Sequence, residues 1–407
     1  MKNKPLLSIF LIVFIDLLGF GLILPLLPYY AETFGASDTV IGLLVASYAA
    51  AQLIGAPILG RLSDRFGRRP VLLLSLVGTL LGFMLLGFAN TLWILFAARI
   101  LDGLTGGNIS VAQAYISDVT DAKNRAKGLG MIGAAFGLGF IIGPASGGLL
   151  SQWGYAVPAF VAVGLVTINL LMVSLWLPES LPPEKREKAE KNRPTFTASA
   201  LVLALKRPFT GPLLITRFFF GLAFSTFQTI FALYALRRFN LGASETGFIL
   251  TYVGVLAAVV QGGLVGRLSQ RYRDDILITI SVAVMALSLL GWALAPSVAV
   301  LLIILAPTSF AGGILNTVLS SALTKAVEPQ EIGGILGLSA SIESATRVIA
   351  PTMGGILLGR IGTWAPGAFG AFLLAGLFFY VWQSIFGKHV PQQNDNPSAF
   401  QTTNSGD

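Results

Sequence analysis

The chain has 407 residues, of which 54% are hydrophobic and only 11% charged, against roughly 25% charged in soluble domains. That balance excludes a water-soluble enzyme or binding module. The net charge of +8 does not mark a nucleic-acid binder, because the basic residues fall in short clusters between apolar runs. With no cysteine, disulfides and thiolate metal sites are excluded, and no prosthetic cofactor or metal is implied.

About 20 apolar residues are needed to cross the hydrocarbon of a bilayer. Runs of that kind lie near 6–30, 39–60, 70–89, 92–114, 126–150 and 156–177. They resume at 208–236, 246–266, 276–295, 297–323, 333–358 and 364–386. The expected fold is therefore an all-α membrane protein of twelve spans. The first run follows Lys2 and Lys4 and ends Pro25-Leu-Leu-Pro28. It is longer than the apolar core of a signal peptide, so it reads as a retained first span. Four parts are expected: an N-terminal six-helix bundle over 1–177, a charged linker over 178–205, a C-terminal bundle over 206–387 and a disordered tail over 388–407.

Sidedness follows from the basic residues. Lys2 and Lys4 precede span 1, Arg61, Arg65, Arg68 and Arg69 follow span 2, and Lys123, Arg125 and Lys127 follow span 4. Lys185, Arg186, Lys188, Lys191, Arg193, Lys206 and Arg207 lie between spans 6 and 7. Arg267, Arg271, Arg273, Lys325 and Lys388 complete a set of 21 of the 27 Lys and Arg on one side. The opposite loops hold Arg237, Arg238 and Arg360. With an even number of spans, this bias places both termini in the cytoplasm.

The chain also repeats. Gly60-Arg-Leu-Ser-Asp-Arg-Phe66 recurs as Gly266-Arg-Leu-Ser-Gln-Arg-Tyr272, and Gly35-Ala-Ser-Asp-Thr39 as Gly242-Ala-Ser-Glu-Thr246. Pro144-Ala-Ser-Gly-Gly148 recurs as Pro351-Thr-Met-Gly-Gly355. Two related halves follow, an arrangement that favours a substrate site between them near the bilayer midplane.

Six charges lie inside apolar spans: Asp16, Arg99, Asp102, Arg217, Glu343 and Arg347. Each costs roughly 2.5–3.5 kcal/mol at a helix centre unless it pairs or meets water. Arg99 and Asp102 are spaced i,i+3 and Glu343 and Arg347 i,i+4, so each pair can meet on one helix face. Asp16 has no charged neighbour within a turn. It is the leading candidate for proton exchange, with Asp102 and Glu343 as the others; the alternative is a packing bond to a neighbouring Ser or Asn.

Span 7 carries Phe220, Phe224, Phe227 and Phe231 in one stripe, with Gln228 among them. Such a stripe either packs or faces lipid. If it instead faces a cavity with Tyr48, Gln52, Asn108 and Gln113, it suits a bulky amphipathic substrate. Arg217 would then meet an anionic group, or else snorkel to the interface. In the loop after span 2, Asp64 amid Arg61, Arg65, Arg68 and Arg69 can bridge to a facing helix end in one conformation and release in another. The repeat has Gln270 at the position of Asp64, so gating charge is expected to differ between the halves. Span 5 carries Gly133-x-x-x-Gly137 and Gly139-x-x-x-Gly143-x-x-x-Gly147, spacing that lets backbones approach closely.

Taken together, these residues resemble the major facilitator superfamily, in particular its proton-coupled drug antiporters. Gly60-Arg-Leu-Ser-Asp64-Arg65-Phe-Gly67-Arg68-Arg69 resembles that family's loop between spans 2 and 3, and Arg99-Ile-Leu-Asp-Gly103 its span 4 motif. Gly137, Gly143, Pro144, Gly147 and Gly148 resemble its span 5 antiporter motif. Asp16-Leu-Leu-Gly-Phe-Gly-Leu-Ile-Leu-Pro25 resembles span 1 of the tetracycline-efflux proteins. The resemblance implies a secondary active transporter that exports a small amphipathic compound in exchange for protons, with the coupling acid at Asp16. It also implies that Asp64 stabilises the cytoplasm-closed state with Asp118 and Arg125 as further partners. Span 5 would then seal against its counterpart in the other half, around Pro351. The tetracycline pumps carry acids in spans 3 and 9 and a histidine in span 8. Here span 3 has no acid, Asp274 and Asp275 start span 9, and the single histidine is His389. The implied partners are a small-molecule substrate, the lipid bilayer of a bacterial inner membrane and the proton as coupling ion; a monomer suffices. An importer or facilitator on the same fold is the alternative, and a membrane enzyme or receptor a remote one.

Overall fold

The computed structural model describes residues 4–120, 122–182, 184, 186, 198–328 and 331–387; of these, 4, 5, 122–127, 129 and 198–200 are described in backbone only. The expected tail and residues 183, 185 and 187–197 of the expected linker lie outside the described residues. Span 1 is Lys4–Ile23, prolonged by a 3-10 turn at Leu24–Leu26 and a short helix at Leu27–Glu32. Pro25 and Pro28 impose that change of winding, because neither can donate a backbone hydrogen bond. Span 2 is Asp38–Phe66, span 3 Arg68–Gly87, span 5 Ala122–Leu150 and span 6 Ala156–Trp176. After a short helix at Ala198–Lys206 come span 7, Thr210–Phe239, and span 8, Ala243–Val259, which continues through a π turn at Val260–Leu264 into Val265–Arg271. Spans 9 to 12 are Asp274–Leu294, Val298–Lys325, Ile332–Arg360 and Ala365–Ser384.

Span 4 departs from expectation. It breaks into Leu92–Thr105 and Asn108–Val119, where the sequence reading ran one helix from 92 to 114. Gly106 and Gly107 lie in the gap, and a glycine pair in a helix interior costs about 2 kcal/mol of propensity relative to alanine. Among the described residues, ten helices are long and apolar enough to cross a bilayer. The two twelve-span members outside that set are span 4, which is broken, and span 11, which carries Glu343 and Arg347 amid Gly, Ser and Thr.

Contacts divide the chain into two compact units. The first gathers Met1–Arg193, Ser225–Ala258 and Arg347–Pro366; the second gathers Pro194–Phe224, Val259–Thr346 and Gly367–Asp407. Within the first, span 1 lies against spans 5 and 6, span 2 against span 4, and span 3 against spans 4 and 6. Glycine makes these contacts possible. A side chain at Gly55 would run into the Leu104 backbone, one at Gly103 into the Tyr48 carbonyl, and one at Gly143 into the Gly21 backbone. Without hydrophobic drive between helices in lipid, such backbone approach is what packs spans together. Within the second unit, span 9 packs on span 10, Trp292 is fully buried, and the Phe224 ring rests on Gly312.

Candidate functional site

Span 1 places Asp16 about halfway along its length, and the break in span 4 brings Asn108 to it. Asn108 Nδ2 donates to Asp16 Oδ1 at 2.8 Å. On its other side Asn108 Oδ1 accepts from the Ser75 hydroxyl, which also reaches the carbonyl of Thr105. Thr105 ends the first piece of span 4 and Asn108 starts the second, so the polar groups freed by the break are spent around Asp16. Gln52 Nε2 ties down the other freed carbonyl, that of Gly106, at 2.8 Å, and also contacts the Tyr48 hydroxyl at 3.0 Å.

Beside Asp16, Arg99 Nη1 donates to Asp102 Oδ2 at 2.9 Å with both side chains almost fully buried. The Arg99 guanidinium stacks over the Tyr48 ring at 4.3 Å, and its Nε has no hydrogen-bond partner. Thr79 supplies Asp102 with a further hydrogen bond. Asp16, Phe20, Tyr48, Thr79, Asp102 and Asn108 are among the residues lining a cavity of about 20 Å³. That volume holds one water molecule.

In the second unit, Arg217 is buried and its Nη2 donates to Glu343 Oε2 at 2.7 Å, while Nη1 donates to Asn316 Oδ1 at 2.9 Å. Span 7 thereby meets spans 10 and 11 through one guanidinium. Two expectations change. Arg217 does not snorkel, because its side chain is 10% exposed and held at both nitrogens. Glu343 gains a partner on another span, which i,i+4 spacing alone did not foresee, while Arg347 is exposed. Phe220, Phe227 and Phe231 are buried and Phe220 stacks on Phe224 at 5.4 Å, so the stripe is core packing. Gln228 and Gln113 are exposed, and neither lines the cavity at Asp16.

On the face that carries the basic clusters, Arg68 joins Asp64 at 2.5 Å and Asp118 at 3.0 Å. Gly60 and Gly67 are buried there. Gly67 has φ of 104°, a conformation that favours glycine; a side chain there would also strike the Glu179 carboxylate. Arg65 is exposed and lies over the Phe66 ring, whereas Arg69 donates to the carbonyls of Val173 and Ser174 at the end of span 6. The Arg125 side chain lies outside the described ones. Sequence reasoning missed Glu179, whose carboxylate accepts from the backbone N–H of Arg68 at 2.9 Å and of Arg69 at 3.1 Å. It caps the start of span 3 from the end of span 6, satisfying first-turn donors and the positive end of the helix dipole.

The repeat keeps this joint with its charges reversed. Arg68 and Asp118 correspond to Asp274 and Lys325, which pair at 2.7 Å. Where a carboxylate at the end of span 6 takes N–H groups of span 3, Asp275 of span 9 takes the N–H of Gly387 after span 12, at 2.9 Å. An ion pair is therefore retained at this joint in the second half although Gln270 replaces Asp64. Reversing one partner, in Asp274→Lys or Lys325→Asp, sets like charges together and costs about 1 kcal/mol at this exposure. The expected result is a melting temperature in detergent lowered by roughly 1 °C in either single variant. Combining the two restores it.

At the opposite face the first unit is sealed. Tyr29 bonds Thr246 Oγ1 at 2.6 Å and the carbonyl of Leu241 at 3.2 Å. Arg237 at the end of span 7 joins Glu32 at 2.5 Å and Asp38 at 2.8 Å. Pro144 and Gly148 of span 5 pack on Gly247 and Ala243 of span 8, and Pro351 and Gly355 of span 11 pack on Gly42 of span 2. Span 5 thus seals against span 8, not against its counterpart span 11. A pseudo-two-fold relation explains the correction: it maps the 5–8 contact onto the 11–2 contact, each pressing a proline carbonyl onto a glycine. Gly143 and Gly147 face span 1 instead, and nothing lies within 4 Å of where a side chain at Gly133 or Gly137 would begin, so the span 5 glycines that meet a neighbouring backbone lie within 139–148, while Gly128 meets the Ile116 side chain.

A family model, Major Facilitator Superfamily, matches residues 9–351 and 263–404. The chain belongs to the major facilitator superfamily. It is a multi-pass membrane transporter of a small molecule, as that membership requires. It is similar to tetracycline resistance protein, class H, of Pasteurella multocida, 36% identical over 363 residues that cover 86% of this chain and 88% of that one. Tetracycline resistance protein, class B, of Escherichia coli is 34% identical over 353 residues, covering 84% and 85%. Among solved structures, a bacterial homologue of the human lysosomal transporter Spinster matches with a TM-score of 0.74 at 16% identity, over 94% of this chain and 96% of that one. That likeness shows the fold alone.

For this transporter the local pairs were legible and the distant ones were not. Arg99 with Asp102 and Asp64 within its arginine cluster follow from spacing. Ser75, Thr79, Glu179 and Asn316 carried no spacing signal. The break in span 4 did carry one: Gly106-Gly107 followed by Asn108 is a helix stop and a helix start.

Proposed function

We propose that this chain is a proton-coupled antiporter that exports a small amphipathic drug across the bacterial inner membrane by alternating access. In this reading both termini are cytoplasmic, the working unit is a monomer, and no prosthetic group takes part. One observation carries it: a carboxylate at mid-membrane, Asp16, lies on a cavity of about 20 Å³ beside a buried Arg99–Asp102 pair. An ionisable group at that depth is costly to keep unless it works. The names of the relatives, tetracycline resistance proteins, support a drug as cargo. Arg217 and Gln228 are proposed as substrate contacts reached when the spans move. Asp64, Arg68 and Asp118 are proposed as the cytoplasmic gate.

The test is proton movement in vesicles carrying a pH-sensitive dye, with a panel of amphipathic cations, neutral drugs and anions, tetracycline among them. Substrate-evoked proton flux in the wild type supports antiport. Flux lost in Glu343→Gln but kept in Asp16→Asn moves the coupling site to span 11. Substrate flux with no proton flux leaves a facilitator.

A further inference from the structure

We propose that Asn108 and Ser75 form a two-position hydrogen-bond switch that reads the protonation of Asp16 and passes it to the break in span 4. The proposal rests on the reading of Asp16 as the proton carrier. Ser75 is fully buried, and its hydroxyl lies within bonding reach of both Asn108 Oδ1 and the carbonyl of Thr105. A hydroxyl has one proton to give, so it serves one acceptor at a time. Asn108, also buried, carries a donor end and an acceptor end, and its donor end now faces Asp16.

These groups fit two arrangements. With Asp16 ionised, Asn108 Nδ2 donates to it and Asn108 Oδ1 accepts from Ser75. With Asp16 protonated, the carboxyl becomes a donor. The amide then turns over, so that Oδ1 accepts the Asp16 O–H, Nδ2 donates to Ser75 Oγ, and the Ser75 proton goes to Thr105. The Thr105 carbonyl already accepts from Gly107 N–H at 2.8 Å, and its second lone pair takes the hydroxyl. Asn108 Oδ1, the Ser75 hydroxyl and the Thr105 carbonyl each keep a partner in either arrangement, which is what allows both to be populated. Thr105 and Asn108 flank the gap between the two pieces of span 4, so each turn of the amide changes the bonding on both sides of that hinge. Around Asp16 the charged or titratable groups are Asp102 and Arg99 of span 4 and Tyr48 of span 2, and Arg347 of span 11 adds its charge at Tyr48. Residues 130–150 and 156–176 of the packed spans 5 and 6 contain no ionisable side chain. The switch therefore answers to Asp16 against a background set by the Arg99–Asp102 pair.

The experiment is an infrared pH titration of the full chain in liposomes, with 15N-labelled asparagine. The Asp16 carboxyl band is assigned by its loss in Asp16→Asn and the Asn108 amide band by its loss in Asn108→Leu. The expected result is that the amide band of the wild type shifts with pH at the same midpoint as the carboxyl band, and stays fixed in Asp16→Asn. In Ser75→Ala the amide shift is lost and proton-coupled flux falls about tenfold, the scale of one buried hydrogen bond. An amide band that stays fixed while the carboxyl band titrates would make Asn108 a static donor; the switch would fall and the role of Asp16 would stand. If no carboxyl band titrates across the working range, the switch and the carrier reading both fail.

Discussion

Asp16→Asn is expected to lower substrate-evoked proton flux by about a hundredfold or more, the range seen when a positioned proton-transfer group is removed. The substitution keeps the shape of the side chain and leaves an oxygen to accept from Asn108 Nδ2, now 2.8 Å from Asp16 Oδ1. The fold should therefore survive, with the melting temperature close to that of the wild type. Exchange of substrate down its own gradient should persist, because that leg of the cycle needs no proton. Two measurements in the same vesicles, dye response and labelled substrate exchange, separate these effects. If both fall together with the melting temperature, Asp16 is a structural residue of span 1. If neither falls, proton coupling lies elsewhere, and the Arg217–Glu343 pair of spans 7 and 11 is the next group to test.

The second large effect belongs to the sealed face. A side chain begun at Gly148 would lie 2.7 Å from the carbonyl oxygen of Ala243 and 2.9 Å from Ser244 Cα. Both are backbone atoms and cannot swing aside. Gly148→Val should thus force span 5 off span 8 at an overpacking cost of about 1–3 kcal/mol, which is a five- to 150-fold shift in a conformational equilibrium. Gly355→Val should do the same between spans 11 and 2, where the new side chain would begin 2.6 Å from the Asp38 carbonyl. Because the chain has no cysteine, a single Ala232→Cys change reports on the seal without background. Ala232 is buried with Leu26, Tyr29 and Ala243, so it should react slowly with a membrane-impermeant maleimide in the parent and faster in either valine variant. Gly147→Val is the contrast. Gly147 presses on the Leu22 backbone inside span 1's own packing, so its loss should reduce thermal stability and yield. Labelling unchanged by Gly148→Val and Gly355→Val would mean that these contacts do not hold the face shut.

What the sequence determined by itself is what depends on neighbours along the chain. Spans follow from hydropathy, because a segment that crosses the bilayer must be apolar whatever it touches. The clustering of Lys and Arg follows from the cost of carrying charge across the membrane. Arg99 finds Asp102 because one helical turn brings the pair together, and Asp64 finds Arg68 across the tight turn at Gly67 that joins spans 2 and 3. The repeat was visible as three matched segments in order.

The tertiary structure decided the rest. Asp16 and Asn108 are 92 residues apart and Arg217 and Glu343 are 126 apart. Nothing in either stretch names the other. The choice of span 8 as partner to span 5, and of Glu179 as cap to span 3, belongs to the same class. The physical reason is that lipid is as apolar as a leucine side chain, so hydropathy records that a span is buried without recording which face meets which neighbour. Those pairings are set by where bare glycine lets two backbones approach and by the need to satisfy each polar group that lipid cannot.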